Sequence, residues 1–177
     1  MMTSLVITLV GPDRPGLVSA VSDKAAEFGA NWADSLMANL AGQFAGIVHL
    51  QVATKDADRL MEALRNLQSP GMIISVAKGS AGEGAAPTRR LRLDLVGQDR
   101  PGIIRSISNQ LAQRGISIET LKTDITSGAM SGEQMFRMNA LLVVPAALDE
   151  GELRSGLEGL ANELMVDISL DHSKDAA

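Results

Sequence analysis

Fourteen residues near the start of the chain are written again near its middle. Leu5-Val-Ile-Thr-Leu-Val-Gly-Pro-Asp-Arg-Pro-Gly-Leu-Val returns as Leu91-Arg-Leu-Asp-Leu-Val-Gly-Gln-Asp-Arg-Pro-Gly-Ile-Ile. The offset from Asp13 to Asp99 is 86 residues, and Gly29 meets Gly115 at the same offset. A repeat of that length is a whole small domain, longer than the roughly 20–50 residues of a solenoid unit. Many sequences can pack a core, so a Gly-Asp-Arg-Pro-Gly turn kept in both copies points to a task for the turn itself.

The 177 residues accommodate two such domains, each near the lower size at which one core suffices. The stretch 79–90 is small and flexible in composition and reads as a linker, leaving a first domain at 1–78 and a second at 91–172, with 173–177 as a fraying tail. Within each domain the apolar period alternates between two and 3.6 residues. Leu5, Ile7 and Leu9, and later Leu91, Leu93 and Leu95, mark a first strand. Leu17, Val21, Ala25 and Phe28 mark a helical face, matched by Ile103, Ile107, Leu111 and Arg114. Gly29 and Gly115 are placed to close those helices in a left-handed cap.

A hairpin follows, Asn31 to Leu40 and Gln43 to Ala53 about Ala41-Gly42, or Ile116 to Thr126 and Glu133 to Val144 about a longer tip at 127–132. Leu60, Leu64 and Leu67 then give a second helix ended by Ser69-Pro70-Gly71, and Met72 to Ala77 a last strand. Leu153, Leu157 and Leu160, then Val166, Ile168 and Leu170, repeat this. Pairing Val166 with Ile74 puts the offset at 92 there, so six inserted residues are assigned to the hairpin tip. The order β-α-β-β-α-β predicts an α+β fold of two ferredoxin-like units, each a four-stranded antiparallel sheet with two helices on one face.

At the repeated turn, a proline holds the preceding residue extended, so Pro15 and Pro101 are expected to open the helices. The N–H groups of Gly16, Leu17 and Val18 then lie free at the positive end of a helix dipole, where a carboxylate is favoured. Gly16 lets a ligand approach the backbone, Asp13 can cap the turn or accept from an ammonium group, and Arg14 can reach a carboxylate. Such a set suits both ends of a free amino acid. It is also a good helix start without any ligand, although an arginine has no capping value that would preserve it.

The doubled Gly-x-Asp-Arg-Pro-Gly between first strand and first helix resembles the ACT domain, a regulatory module that binds amino acids. Two such domains on a short linker, from Ser4 to about His172, resemble the glycine cleavage system transcriptional repressor family. The resemblance implies ligand binding at an interface between two ACT modules, against the turn. By position it implicates Gly11, Asp13, Arg14, Gly16, Leu17 and Val18, and in the second copy Gly97, Asp99, Arg100, Gly102, Ile103 and Ile104. Asn31 opens the second strand near the turn and is added to that set; its counterpart is Ser117. Members of the repressor family are thought to restrain a DNA-binding activator by protein contact when glycine is present. The implied partners are therefore a small amino acid such as glycine and a transcription activator.

The remaining chemistry narrows the field. The net charge is −5, and residues 91–177 carry 8 basic and 13 acidic side chains, which repels nucleic acid. An RNA-recognition module shares the strand order but needs stacking rings on its central strands. This chain is 2% aromatic and has no Tyr. There is no cysteine, which suits a reducing cytoplasm, and Met1 to Val10 lacks the features of a secretory signal. No apolar run is long enough for a membrane span. His49 and His172 are too far apart for a metal cluster or a catalytic pair, so no enzyme activity and no cofactor are expected.

Val6, Val10, Ile47 and Ile73 are expected on the first sheet's face away from its helices, too apolar to stay bare and so implying a covering half or second subunit. Trp32, at the start of the second strand, reads as an edge or interface anchor, or else as a wall of a ligand pocket. The reading is a cytoplasmic, homo-oligomeric amino-acid sensor that regulates transcription through protein contact. The alternatives are a regulatory subunit acting on a metabolic enzyme in trans, or an interaction scaffold that binds no metabolite.

Overall fold

The structure is a computed structural model and describes residues 1–67, 71–79, 86–127 and 133–172. It divides into two units, Met1–Glu83 and Gly84–Ala177. In the first, β1 (Met2–Pro12), α1 (Leu17–Glu27), β2 (Asn31–Leu40), β3 (Gln43–Ala53), α2 (Ala57–Arg65) and β4 (Ile73–Lys78) build an antiparallel sheet of order β2-β3-β1-β4. In the second, β5 (Thr88–Gln98), α3 (Ile103–Ala112), β6 (Ser117–Ser127), β7 (Gln134–Pro145), α4 (Glu150–Leu164) and β8 (Val166–His172) repeat it as β6-β7-β5-β8. This is the α+β ferredoxin-like arrangement, twice. Among the described residues no helix is long and apolar enough to cross a membrane.

The alternation of β1 puts Leu5, Ile7 and Leu9 under the helices at 1% exposure or less, against Val21 and Ala25 of α1 and Leu60 and Leu64 of α2. The second core joins Leu91, Leu93 and Leu95 to Ile103, Ile107, Leu111, Leu153 and Leu157 in the same way. Gly29, at φ +62°, closes α1: its N–H reaches the Ala26 carbonyl and that of Ala30 reaches Ala25. Gly115, at φ +69°, closes α3 by the same pair of bonds to Ala112 and Leu111. Ala41 and Gly42 both have positive φ, the two-residue hairpin turn that matches strand twist.

Two expectations are corrected. Gly97 faces Val166 in the β5–β8 ladder, and Leu95 faces Ile168, whereas Leu9 faces Ile74. The counterpart of Ile74 is therefore Ile168, not Val166, and the offset at the last strand is 94. Six extra residues separate β6 from β7, since Leu5 opposes Leu50 and Leu91 opposes Leu142. Two more fall between β7 and β8, where α4 is a 15-residue helix and α2 a 9-residue one. A slip of two residues leaves every strand side chain on its face, so alternation alone does not reveal it.

The second correction is at the helix starts. Pro15 and Pro101 lie in the turns, and α1 and α3 begin two residues later, at Leu17 and Ile103. Strand β5 begins at Thr88, taking in residues of the expected linker. The helix end at Ser69-Pro70, the hairpin tip beyond Ser127, linker residues 80–85 and the tail at 173–177 lie outside the described residues.

Candidate functional site

Each turn hangs from the end of its central strand and is tied sideways to the neighbouring hairpin. The Asp13 N–H donates to the Gly42 carbonyl at 3.0 Å, and the Asp99 N–H to that of Gln134 at 2.8 Å. The chain then passes through Arg-Pro and turns into the helix at a glycine in the left-handed region, φ +92° at Gly16 and +98° at Gly102. A Cβ in that conformation costs about 1–2 kcal/mol, which gives these glycines a reason of their own. A Cβ built on either would meet nothing within 4 Å, so the space above the helix start is open.

Neither α1 nor α3 has a side-chain cap at its start. Their first intrahelical bonds are Ala20 N–H to the Gly16 carbonyl and Ser106 N–H to that of Gly102, both 3.0 Å. The amides before them point out of the helix end, with the positive end of the dipole behind them. An anion of carboxylate size fits that chemistry.

The side chains named from the sequence divide into three groups. Leu17 and Ile103 are 4% and 2% exposed and belong to the cores, so only their amides can face a ligand. Val18 and Ile104 are exposed beside the turn, at 41% and 36%. Gly11 and Gly97 have a packing cause: a Cβ on Gly11 would sit 3.0 Å from the Met72 Cα, and one on Gly97 would sit 2.4 Å from the Val166 Cγ1.

The acidic and basic residues differ between copies. Asp13 accepts from the Asn39 Nδ2 of β2. The Asp99 carboxylate takes no hydrogen bond among the described residues, and the counterpart of Asn39 is Ile125. Arg100 is a correction: its Nη2 donates to the Leu164 carbonyl at the end of α4, so this arginine does cap a helix. Sequence reasoning missed this because Leu164 is 64 residues away and an arginine carries no mark of which carbonyl it serves.

Asn31 is not brought to the turn of its own domain. It pairs with Gln51, which pairs with Ser4, whereas Gly11 lies seven residues further along β1, ~23 Å away. The reason is geometric: α1 runs back antiparallel to β1 and delivers β2 to the opposite end of the sheet. His49 stands on the open sheet face opposite Val6, as alternation requires.

The charged groups with a clear perturbation belong to the second domain. Arg90 Nε lies 2.6 Å from Glu119 Oε2, at a β-bulge in β6. That hydrogen bond raises the Arg90 pKa and holds the Glu119 carboxyl below its ordinary range. Glu150 is likewise held low, first by its hydrogen bond from Arg154 and then by the charge of His172.

With this geometry in view, the comparisons with known proteins are specific. The family model described as the ACT domain matches residues 3–77 and again 90–171. An unknown protein from Galdieria sulphuraria superposes with a TM-score of 0.86 at 32% identity, over 98% of this chain and 99% of its own. A protein provisionally described as a glycine cleavage system transcriptional repressor superposes with a TM-score of 0.68 at 22% identity, over 99% of both chains, a likeness of fold. No curated protein sequence matches.

Proposed function

From the premise that this chain belongs to the ACT-domain family, we propose that it is a non-enzymatic regulator that senses a small amino acid at its repeated turn. The supporting observation is the paired helix start: uncapped amides behind a left-handed glycine, with open space above, in both copies. The ligand's carboxylate takes the amides at the start of α3, and its ammonium group takes Asp99. The second turn is preferred because Asp13 already accepts from Asn39. Gly11, Gly97, Leu17 and Ile103 shape the site from behind. Arg100 holds the end of α4 and acts on the ligand only through that anchor.

The regulatory output is contact with a protein, a transcription activator on the likeness to the repressor. A net charge of −5 supports an indirect role over direct binding to nucleic acid. The open face of the first sheet offers an apolar contact surface: Leu36, Ile47 and Ile73 are 60%, 45% and 69% exposed.

Thermal unfolding of the full chain with glycine, serine and alanine tests the ligand step. A ligand at about 100 times its Kd stabilises by about 2.7 kcal/mol, a readily measured rise in Tm. Asp99→Ala is expected to remove that rise for the responding amino acid, and Asp13→Ala to leave most of it. No rise with any of them at millimolar concentration refutes the sensor.

A further inference from the structure

The two sheets present opposite chemistry on the same face. At equivalent places in the register, Leu36 becomes Lys122, Ala38 becomes Asp124, Ala45 becomes Arg137, Ile47 becomes Asn139, Thr8 becomes Asp94 and Ile73 becomes Asp167. In the second domain these side chains line an open depression of about 650 Å³, within the size range of small-molecule sites. It lies on the sheet surface, and none of the turn residues 99–102 lines it. We infer that this depression is a binding site for a basic amino acid, one with a cationic group at the end of its side chain.

The charge inventory argues for that class. Asp94, Asp124 and Asp167 stand against Lys122 and Arg137, three negative groups to two positive. Asp124 and Arg137 lie directly opposite in the β6–β7 ladder, yet no ion pair joins them, and neither Lys122 nor Asp167 has a partner among the described residues. Only Asp94 is engaged, by the Asn139 Nδ2. The lining therefore carries one net negative charge, which a ligand of net charge +1 such as lysine or arginine balances.

The layout fits the same molecule. Arg137 beside Asp124 matches a carboxylate and an ammonium group carried on one carbon atom. In the row across the sheet, Arg137 is followed by Val96 and then by Asp167. Two strand spacings separate Arg137 from Asp167, about 9.6 Å between backbones. An extended lysine spans roughly 7–8 Å from its carboxylate carbon to its terminal nitrogen, counted from standard bond lengths. Its methylene chain would lie over Val96, the apolar residue between the charges.

Calorimetric titration of the full chain with lysine, norleucine and 1,5-diaminopentane tests this. Norleucine lacks the terminal cation and the diamine lacks the carboxylate. Lysine is expected to bind, and each truncated compound to bind weaker by roughly tenfold or more, as for loss of a charge-assisted hydrogen bond. Asp167→Asn should bring lysine down to the affinity of norleucine while leaving norleucine unchanged. Arg137→Met should weaken both, and Asp99→Ala, at the turn, should affect neither.

The three substituted side chains are solvent-exposed, and unchanged circular dichroism checks that the variants fold. Absence of basic amino-acid binding at millimolar concentration overturns the proposal, as does lysine affinity indifferent to Asp167→Asn. A change of sedimentation mass on Arg137→Glu, without lysine binding to the parent, would make the face a protein contact and overturn it equally.

Discussion

Replacing Gly97 by alanine should unfold the second domain at a markedly lower temperature and leave the first alone. The added Cβ would lie 2.4 Å from the Val166 Cγ1, 2.9 Å from its Cβ and 3.0 Å from its Cα. Rotation of Val166 relieves the first contact but neither of the others, so the start of β8 must move off β5. Overpacking that displaces backbone costs about 1–3 kcal/mol, and this case belongs near the top. Alanine also stiffens the unfolded chain, which returns about 0.4–1 kcal/mol. The net loss is about 2 kcal/mol, or roughly 8–16 °C in Tm for a domain of about 90 residues.

The assay separates the domains because the chain has one tryptophan, Trp32, packed against the first core. Far-ultraviolet circular dichroism follows both domains and Trp32 fluorescence follows the first. Gly97→Ala should shift a dichroism transition while fluorescence stays in place. Gly11→Ala, whose Cβ meets nothing closer than 3.0 Å, should shift the fluorescence transition by less. Val166→Ala in the Gly97→Ala background should recover none of the loss, since the contacts at 2.9 Å and 3.0 Å to its Cβ and Cα remain. A Gly97→Ala protein melting within about 2 °C of the parent refutes the packing account and returns the shared glycine to the ligand.

Two further outcomes follow from the second domain. Arg100→Met removes the donor to the Leu164 carbonyl, but also an Nε–H that is buried without an acceptor, so the net loss should be small, about 1 kcal/mol by urea denaturation. A loss above about 3 kcal/mol would show that the arginine holds more than the helix end. Glu119 and Glu150 have folded pKa values below the ordinary 4.5, so their contribution is complete above that value and is lost as pH falls through the folded values. Glu119→Gln with Glu150→Gln should therefore flatten the fall in urea midpoint below about pH 5, by a modest amount because both pairs are solvent-screened. An unchanged slope would mean these pairs carry no linkage.

The fold was legible because two signals agreed, the repeat and the alternation of apolar periods inside it. Leu5, Ile7 and Leu9 can face only one side of a strand, and Val21 with Ala25 only one side of a helix, so element type and core followed. Register was harder. Val166 and Ile74 both open an apolar strand, and a two-residue slip preserves the pattern. Only the ladder partners Gly97 and Leu9 distinguish them.

The turn was half legible. The order Pro-Gly announces a break, but whether the helix begins at Pro15 or Leu17 depends on the left-handed φ of Gly16, which local spacing does not encode. The distance of Asn31 from its own turn and the carbonyl that Arg100 serves were illegible for one shared reason. Their surroundings are fixed by how a helix returns across the sheet, a long-range property. The charged depression went unseen because its side chains come from four strands, and the register had to be known before Lys122, Arg137 and Asp167 could be placed on one face.

What the two copies keep and what they change argue for a division of labour. The left-handed turn glycines, the closing glycines Gly29 and Gly115, and the register shifts at Trp32/Asp34 and Ile118/Thr120 coincide, so this part of the scaffold is under the same demand in both. The open faces do not coincide: Leu36, Ile47 and Ile73 stand where Lys122, Asn139 and Asp167 stand in the other copy. Drift would scatter polar and apolar changes over both faces. Instead one face exposes Leu36, Ile47 and Ile73, and its counterpart carries charges of both signs, the depression's two cations standing on β6 and β7. An exposed apolar sheet favours association with protein, and unpaired charges over a shallow cleft favour a small polar ligand. If the faces are separate organs, Leu36→Lys should abolish protein association without altering lysine binding, and Asp167→Asn should weaken lysine binding without altering association. Loss of both activities in either variant would mean that one surface serves a single purpose.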